Sequence, residues 1–268
     1  MFKQRLMSGI VLVLILAGVL YFGGMPTFLA TAIVSLIGYY ELLKVFKTEK
    51  SAIGVICYTI SIIYYLLLMV ELDQFILPLS LVLMIVLLGI YVFTFPKYHF
   101  TEVAAGFFGF FYVTMMLSYV YQIRSLKGGG VYVVLLFLSS WGNDTLAYCS
   151  GMLFGKHKMS PKLSPKKSVE GAIGGVAGAG LLGFLYSLIA SNLVMTDKNL
   201  SLIFTLVCMV GALISIIGDL AASAIKRNYD IKDYGTLIPG HGGILDRFDS
   251  VIFIAPIIYY FLIYTIGA

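Results

Sequence analysis

Apolar residues fall along this chain in long, nearly unbroken runs and not in one-sided stripes. Runs lie near residues 7–23, 26–46, 52–70, 75–95, 104–123, 131–154, 170–190, 201–225 and 250–267. Each comes close to or exceeds the roughly 18 residues that a helix needs to cross a hydrocarbon core. The runs are too long for barrel strands and lack barrel alternation. A helix also satisfies its own backbone polar groups locally, which lipid demands. The expected fold class is therefore an all-α, polytopic transmembrane helical bundle of about nine spans. The first run follows Lys3 and Arg5, as the core of a signal peptide would. No small-residue cleavage pattern follows it cleanly, so it is read as the first span.

Composition agrees with the pattern. Of 268 residues, 60% are hydrophobic and 12% charged, too few charges to clothe a soluble domain of this size. Cys57, Cys149 and Cys208 all lie in apolar runs without metal-ligand spacing, and are expected to be buried free thiols.

Charge orients the spans. With the N-terminus inside, the outer loops hold only Arg124, Lys127 and Lys198 of the 18 Lys and Arg. The cytoplasmic side takes all the others, as the positive-inside rule requires. Adding or dropping one middle span would invert the later loops and spoil the bias. The expectation is a cytoplasmic N-terminus and an outer C-terminus, with both large polar loops on the cytoplasmic face. That basic face suits an anionic leaflet and an anionic substrate equally.

The chain has two unlike halves. Residues 1–130 are simple spans with short loops, read as scaffold. Residues 131–268 carry glycine and ionisable groups at membrane depth and form the expected catalytic half, with polar loops at 156–169 and 226–249. Gly171, Gly174, Gly175, Gly178, Gly180 and Gly183 fall in one span; small residues let helices approach closely, which predicts a central place in the bundle. No internal repeat of the kind transporters show is present.

Asp144 interrupts an apolar run between Asn143 and Thr145. A carboxylate there costs several kcal/mol unless it is paired, hydrated or metal-bound. In the next-to-last span, helical spacing puts Ser215, Asp219, Ser223 and Lys226 near one face, acidic within and basic at the rim. The following loop contains Pro239-Gly240-His241-Gly242-Gly243, where glycines let backbone N–H groups approach a phosphate. Asp246 and Asp249 lie three apart beyond it, with Arg247 between them. With Asp219 and Asp144 they would make an oxygen-rich site of the kind Mg2+ takes. In the earlier loop, Lys166 and Lys167 precede a helix start, a plausible anion site as well as a membrane anchor. His99 and His157 have no partner at ligand spacing and read as loop histidines. There is no P-loop, GxSxG, HExxH or CxxC. What remains is a metal-and-cation site for phosphorylated substrates at the inner membrane face.

At these residues the chain resembles the phosphatidate cytidylyltransferase family, also called CDP-diacylglycerol synthases. The family signature is Ser, two residues, Lys-Arg, four residues, Lys-Asp, a short gap, Pro-x-His-Gly-Gly, two residues, Asp-Arg, one residue, Asp. Ser223, Lys226, Arg227, Lys232, Asp233, Pro239, His241, Gly242, Gly243, Asp246, Arg247 and Asp249 fill it. Residues 164–171 and Asn143-Asp144-Thr145 are similar to family segments too, so the likeness spans roughly residues 140–250. The resemblance implies transfer of a cytidylyl group from CTP to phosphatidate, giving CDP-diacylglycerol and pyrophosphate in phospholipid biosynthesis.

The roles it suggests are catalysis by Asp219, Lys226, Asp246 and His241. Metal binding would fall to Asp144, Asp219, Asp246 and Asp249. Substrate binding would fall to Lys166, Lys167, Ser223, Arg227, Gly242, Gly243 and Arg247. The implied cofactor is Mg2+, alone or with a second cation. The implied partners are CTP, phosphatidate, membrane lipids and a second copy in a homodimer, with no nucleic acid. The expected location is a bacterial plasma membrane, with the active site facing the cytoplasm. A CTP-dependent polyprenol kinase, or a cytidylyltransferase for another lipid phosphate, is the rival within the same chemistry. An ion-coupled transporter using Asp144 and Asp219 is the rival outside it, and it leaves the His-Gly-Gly-x-x-Asp-Arg-x-Asp stretch unexplained.

Overall fold

The computed structural model describes residues 2–194 and 198–267, with side chains from residue 7 onward. The side chains of Lys3 and Arg5, counted above for orientation, lie outside the described residues. The helices are α1 Phe2–Phe22, α2 Gly24–Val45, α3 Ala52–Met69 and α4 Ile76–Phe93. Then come α5 Phe100–Gly109 and α6 Met116–Ser125, joined without a break by a π turn, Phe110–Met115. A second π turn, Leu138–Gly142, joins α7 Gly129–Phe137 to α8 Asn143–Phe154. α9 Val169–Ala190, α10 Leu200–Asn228 and α11 Leu245–Ile266 complete the chain. Every run anticipated as a span is helical. Among the described residues, 7 helical stretches are long and apolar enough to cross a membrane. The other two runs are α1, whose apolar stretch Met7–Phe22 is shorter, and the α7–α8 rod, which carries Ser139, Ser140, Asn143 and Asp144. The chain is an all-α, polytopic membrane protein.

Among the described residues, a small hairpin adds to that picture. β1 Lys158–Ser160 and β2 Ser164–Ser168 pair antiparallel, with Lys158 opposite Ser168 and Ser160 opposite Ser164. Their polar sequence has no apolar alternation to announce a strand.

The fold divides into two compact units. The first holds the N-terminal stretch up to Gly9, Leu29–Ser118 and Asp233–Arg247. Its core gathers Tyr39, Leu42 and Leu43 of α2, Ile53, Cys57 and Tyr64 of α3, Leu83 and Leu87 of α4, and Phe110, all buried. Gly106 makes that packing possible. A methyl group there would lie 3.1 Å from Cys57 Sγ, tight enough to push the helices apart. Polar side chains in this unit pair with one another: Ser61 with Thr114 at 2.9 Å and Tyr64 with Ser118 at 2.7 Å.

The second unit holds Ile10–Phe28, Tyr119–Lys232 and the chain from Phe248 on. α9 packs here between α8 and α10, and its glycines serve two faces. Gly171, Gly174, Gly175 and Gly178 meet Asn143, Leu146, Ala147, Ser150 and Gly151 of α8. Gly180 and Gly183 meet Phe204, Cys208 and Met209 of α10. Close approach replaces side-chain interdigitation on both sides. Cys57 and Cys208 are buried free thiols as expected, but Cys149 is exposed. It lies on the face of α8 turned away from α9, which the hydropathy of the run does not distinguish.

Candidate functional site

In the second unit, the lower part of α8, the hairpin and the start of α9 enclose a cavity of about 440 Å³, closed on one side by α10. Its wall includes Asn143 and Asp144 from α8, Lys166 and Lys167 from β2, and Asp219 from α10. Tyr148, Met152, Met159 and Ile216 add an apolar surface. Four of the charged residues expected in the site therefore face one space.

Local structure explains the arrangement. The π turn Leu138–Gly142 immediately precedes Asn143 and Asp144; such turns widen a helix and re-aim the residues beyond them. Ser168 caps α9, its hydroxyl accepting from Gly171 N–H at 3.1 Å. The hairpin ends on that cap. At its root, Glu170 accepts from the backbone N–H groups of Lys156 and His157 and sits 2.6 Å from His157 Nδ1. His157 is thus a loop histidine with a structural partner. Anchored at both ends, the hairpin carries Lys167 to Asp219, where the two form an ion pair with each side chain 26% exposed.

Asp219 sits on α10 with Ser223 one turn on, its hydroxyl 3.5 Å from Asp219 Oδ1. Ser215, Ser223 and Lys226 are buried on the same helix; Lys226, expected at an open basic rim, is more enclosed than Asp219. Asp249 of α11 is also buried and lies within electrostatic range of Asp219, Lys226 and Asp144. Gly218 permits this: a methyl there would stand 3.0 Å from Phe253 Cβ and 3.1 Å from the Asp249 carbonyl oxygen. Arg227 is exposed and donates to the Ile231 carbonyl at 3.2 Å. Asn143 is 1% exposed, and neither its amide nitrogen nor its amide oxygen has a hydrogen-bond partner among the described residues. A buried amide left without protein partners on a polar cavity wall is the position of a group that meets a ligand or water.

The other expected residues belong to the first unit. Gly240 and Gly242 adopt φ of 77° and 88°, a left-handed backbone that glycine enters without strain. They shape a turn closed by Ile238 N–H to the Gly242 carbonyl and His241 N–H to the Ile238 carbonyl, each 2.9 Å. Ser8 Oγ lies 2.9 Å from His241 Nδ1 and donates to the Pro239 carbonyl at 3.0 Å. Asp246 is buried; its Oδ2 accepts from Tyr234 N–H at 2.8 Å and Gly243 N–H at 2.9 Å. The Nε of Arg247 is buried without a hydrogen-bond partner among the described residues.

One carboxylate in this unit was not anticipated from the sequence. Glu41 of α2 is 4% exposed, and it accepts from Ile244 N–H at 3.1 Å and Leu245 N–H at 2.8 Å. Its signal is the same as that of Asp144 and Asp219, an ionisable group inside an apolar run, but it stands in the half taken as scaffold.

A cation fits the second unit on its donor set. Asp144 and Asp219 offer carboxylate oxygens to one cavity, and the Lys167 ammonium already stands against Asp219. Among the described residues no group of three or more His, Cys, Asp or Glu is gathered at metal-binding distance. Two carboxylates are within what an ion such as Mg2+ takes from a protein, its remaining positions being filled by water and substrate phosphate.

A family model described as "Cytidylyltransferase family" matches residues 3–265. The phosphatidate cytidylyltransferase of Bacillus subtilis is 33% identical, over 97% of this chain and 97% of the relative. That of Staphylococcus epidermidis is 34% identical, over 98% of this chain and all of its own length. That of Thermotoga maritima is 38% identical over 61% of this chain and 60% of the relative.

Proposed function

The chain belongs to the cytidylyltransferase family, and we propose that it transfers the cytidylyl group of CTP to phosphatidate at the cytoplasmic face of a membrane. The products are CDP-diacylglycerol and pyrophosphate. The observation that carries this reading is the cavity of the second unit, where two carboxylates and two ammonium groups share one wall with Tyr148, Met152, Met159 and Ile216. A lipid phosphate and a nucleoside triphosphate both need cations to approach, and the lipid also needs apolar surface.

In the proposed reaction a phosphatidate phosphate oxygen attacks the α-phosphorus of CTP. A new P–O bond forms there, and the bond from the α-phosphorus to the oxygen bridging the α- and β-phosphates breaks. Pyrophosphate leaves with that oxygen. The nucleophile is already ionised near neutral pH, so no strong base is required. The chain must position two polyanions and offset their repulsion. Lys166 and Lys167 supply positive charge from a hairpin pinned at both ends, so little reorganisation is needed when phosphate arrives. Asp219 and Asp144 would hold Mg2+, with Asp249 within electrostatic range of both. Bound there, the ion neutralises charge on the phosphates and on the leaving group. With a cation held at Asp219, the Lys167 ammonium would be released from that carboxylate and could pair with phosphate. Asn143 stands in the cavity wall with its amide oxygen against Gly175 of α9. The assignment of Asp246, His241, Gly242, Gly243 and Arg247 to the reaction rests on the signature they complete.

The test is turnover by the purified protein in detergent with defined phosphatidate, labelled CTP and Mg2+. CDP-diacylglycerol and pyrophosphate should form, and chelation should stop them. Release of CDP with a phosphorylated lipid would replace nucleotidyl transfer with a kinase reaction. No consumption of CTP under these conditions would remove the proposal.

A further inference from the structure

The N-terminus of α11 is held by two carboxylates, and one of them comes from a helix outside the signature. Glu41 takes the Ile244 and Leu245 N–H groups, one on each oxygen. Asp246 takes Gly243 N–H and reaches back to Tyr234 N–H. Three consecutive N–H groups at the start of α11 are thus answered by acids. The loop is cut to fit: a methyl on Gly235 or Gly243 would collide with the Glu41 carboxylate. Gly38, one turn before Glu41, lies close to Leu245 Cδ1, which brings α2 against the helix start. A carboxylate 4% exposed inside an apolar span is retained at considerable cost, and a neutral residue would pack α2 more cheaply.

We infer that Glu41 is a positioning residue for the signature loop and α11. It fixes the first turn of α11 and through it the direction in which Asp246 presents its carboxylate. Two features make a charge the right tool. The positive end of the helix dipole favours an anion there, and one carboxylate satisfies two adjacent N–H groups that a single amide or hydroxyl oxygen would serve poorly. The same contact leaves the Ile244 and Leu245 N–H groups committed inside the protein, so a phosphate cannot claim them. The inference rests on the proposed function for the role of Asp246, but not for the cap itself.

The experiment pairs Glu41→Gln with Gly235→Ala. The first keeps the size of the side chain and loses the charge and one acceptor. The second leaves Glu41 in place and pushes its carboxylate away. Hydrogen exchange of the Ile244 and Leu245 amides is followed alongside steady-state kinetics in detergent. Both variants should exchange these amides faster and lose kcat by about 10²-fold, the scale of a small misplacement near the reacting groups. KM for CTP should stay near wild type. Wild-type exchange rates would overturn the cap. Faster exchange with unchanged kcat would overturn its positioning role. If Glu41→Gln fails to fold, Gly235→Ala decides alone. If the wild-type protein makes no CDP-diacylglycerol, the functional reading fails, and the exchange arm still tests the cap.

Discussion

Replacing Lys167 by Met keeps the reach of the side chain and removes its ammonium. That ammonium pairs with Asp219 in the cavity wall, and both side chains are only 26% exposed. A charge-assisted hydrogen bond between groups this sheltered is worth about 1.5–3 kcal/mol. At about 1.4 kcal/mol per factor of ten, that is roughly 10- to 150-fold. The proposed exchange of partners gives the loss a particular shape. Phosphate loses a cation, so kcat/KM for CTP should fall by about that factor. Asp219 loses the ammonium that competes with Mg2+, so half-activation should need less of the metal. CDP-diacylglycerol formation measured over a grid of CTP and Mg2+ concentrations reads both at once. The two parameters must move in opposite senses. An unchanged kcat/KM, or a Mg2+ requirement that rises, would refute the partner exchange, because a purely structural ion pair predicts neither separation.

Asp246→Asn should abolish measurable turnover while the variant still purifies with a near wild-type melting temperature. An amide oxygen can still accept from Tyr234 and Gly243, so the loop survives without the charge; full activity would remove Asp246 from the reaction. Gly175→Ala should destabilise the protein by about 1–3 kcal/mol, the usual range for overpacking. Its methyl would stand 2.8 Å from Ala147 Cβ and 3.0 Å from the Asn143 carbonyl oxygen. Gly89→Ala, where nothing lies within 4 Å, should leave the melting temperature unchanged or raised. Equal melting curves for the two would refute the account of α9.

The helices were legible because each span is written locally, as an apolar run of membrane length. Asp219, Ser223 and Lys226 were legible for a similar reason, since a fixed helical period puts them on one face. The partnership of Lys167 with Asp219 was not legible, because it joins residues 52 positions apart through a hairpin that has no apolar alternation. The orphaned amide of Asn143 is likewise a property of packing against α9 and not of its own segment. Glu41 differs from these. Its charge inside an apolar run was visible, and only the assumption that the first half is scaffold hid it. Its partners, the N–H groups of Ile244 and Leu245, are backbone atoms, and no side-chain pattern identifies them.

The π turn at Leu138–Gly142 bears on how this chain tolerates changes in its own length. A regular helix turns about 100° per residue, so one residue gained or lost within α8 would swing everything beyond it off the cavity. A π turn carries one residue more than the helix around it needs. A deletion inside it can relax to ordinary helix and leave Asn143 and Asp144 in phase with α9. Insertions and deletions that survive between α7 and α8 should therefore gather at this turn, where the chain has slack, and be purged a few residues to either side.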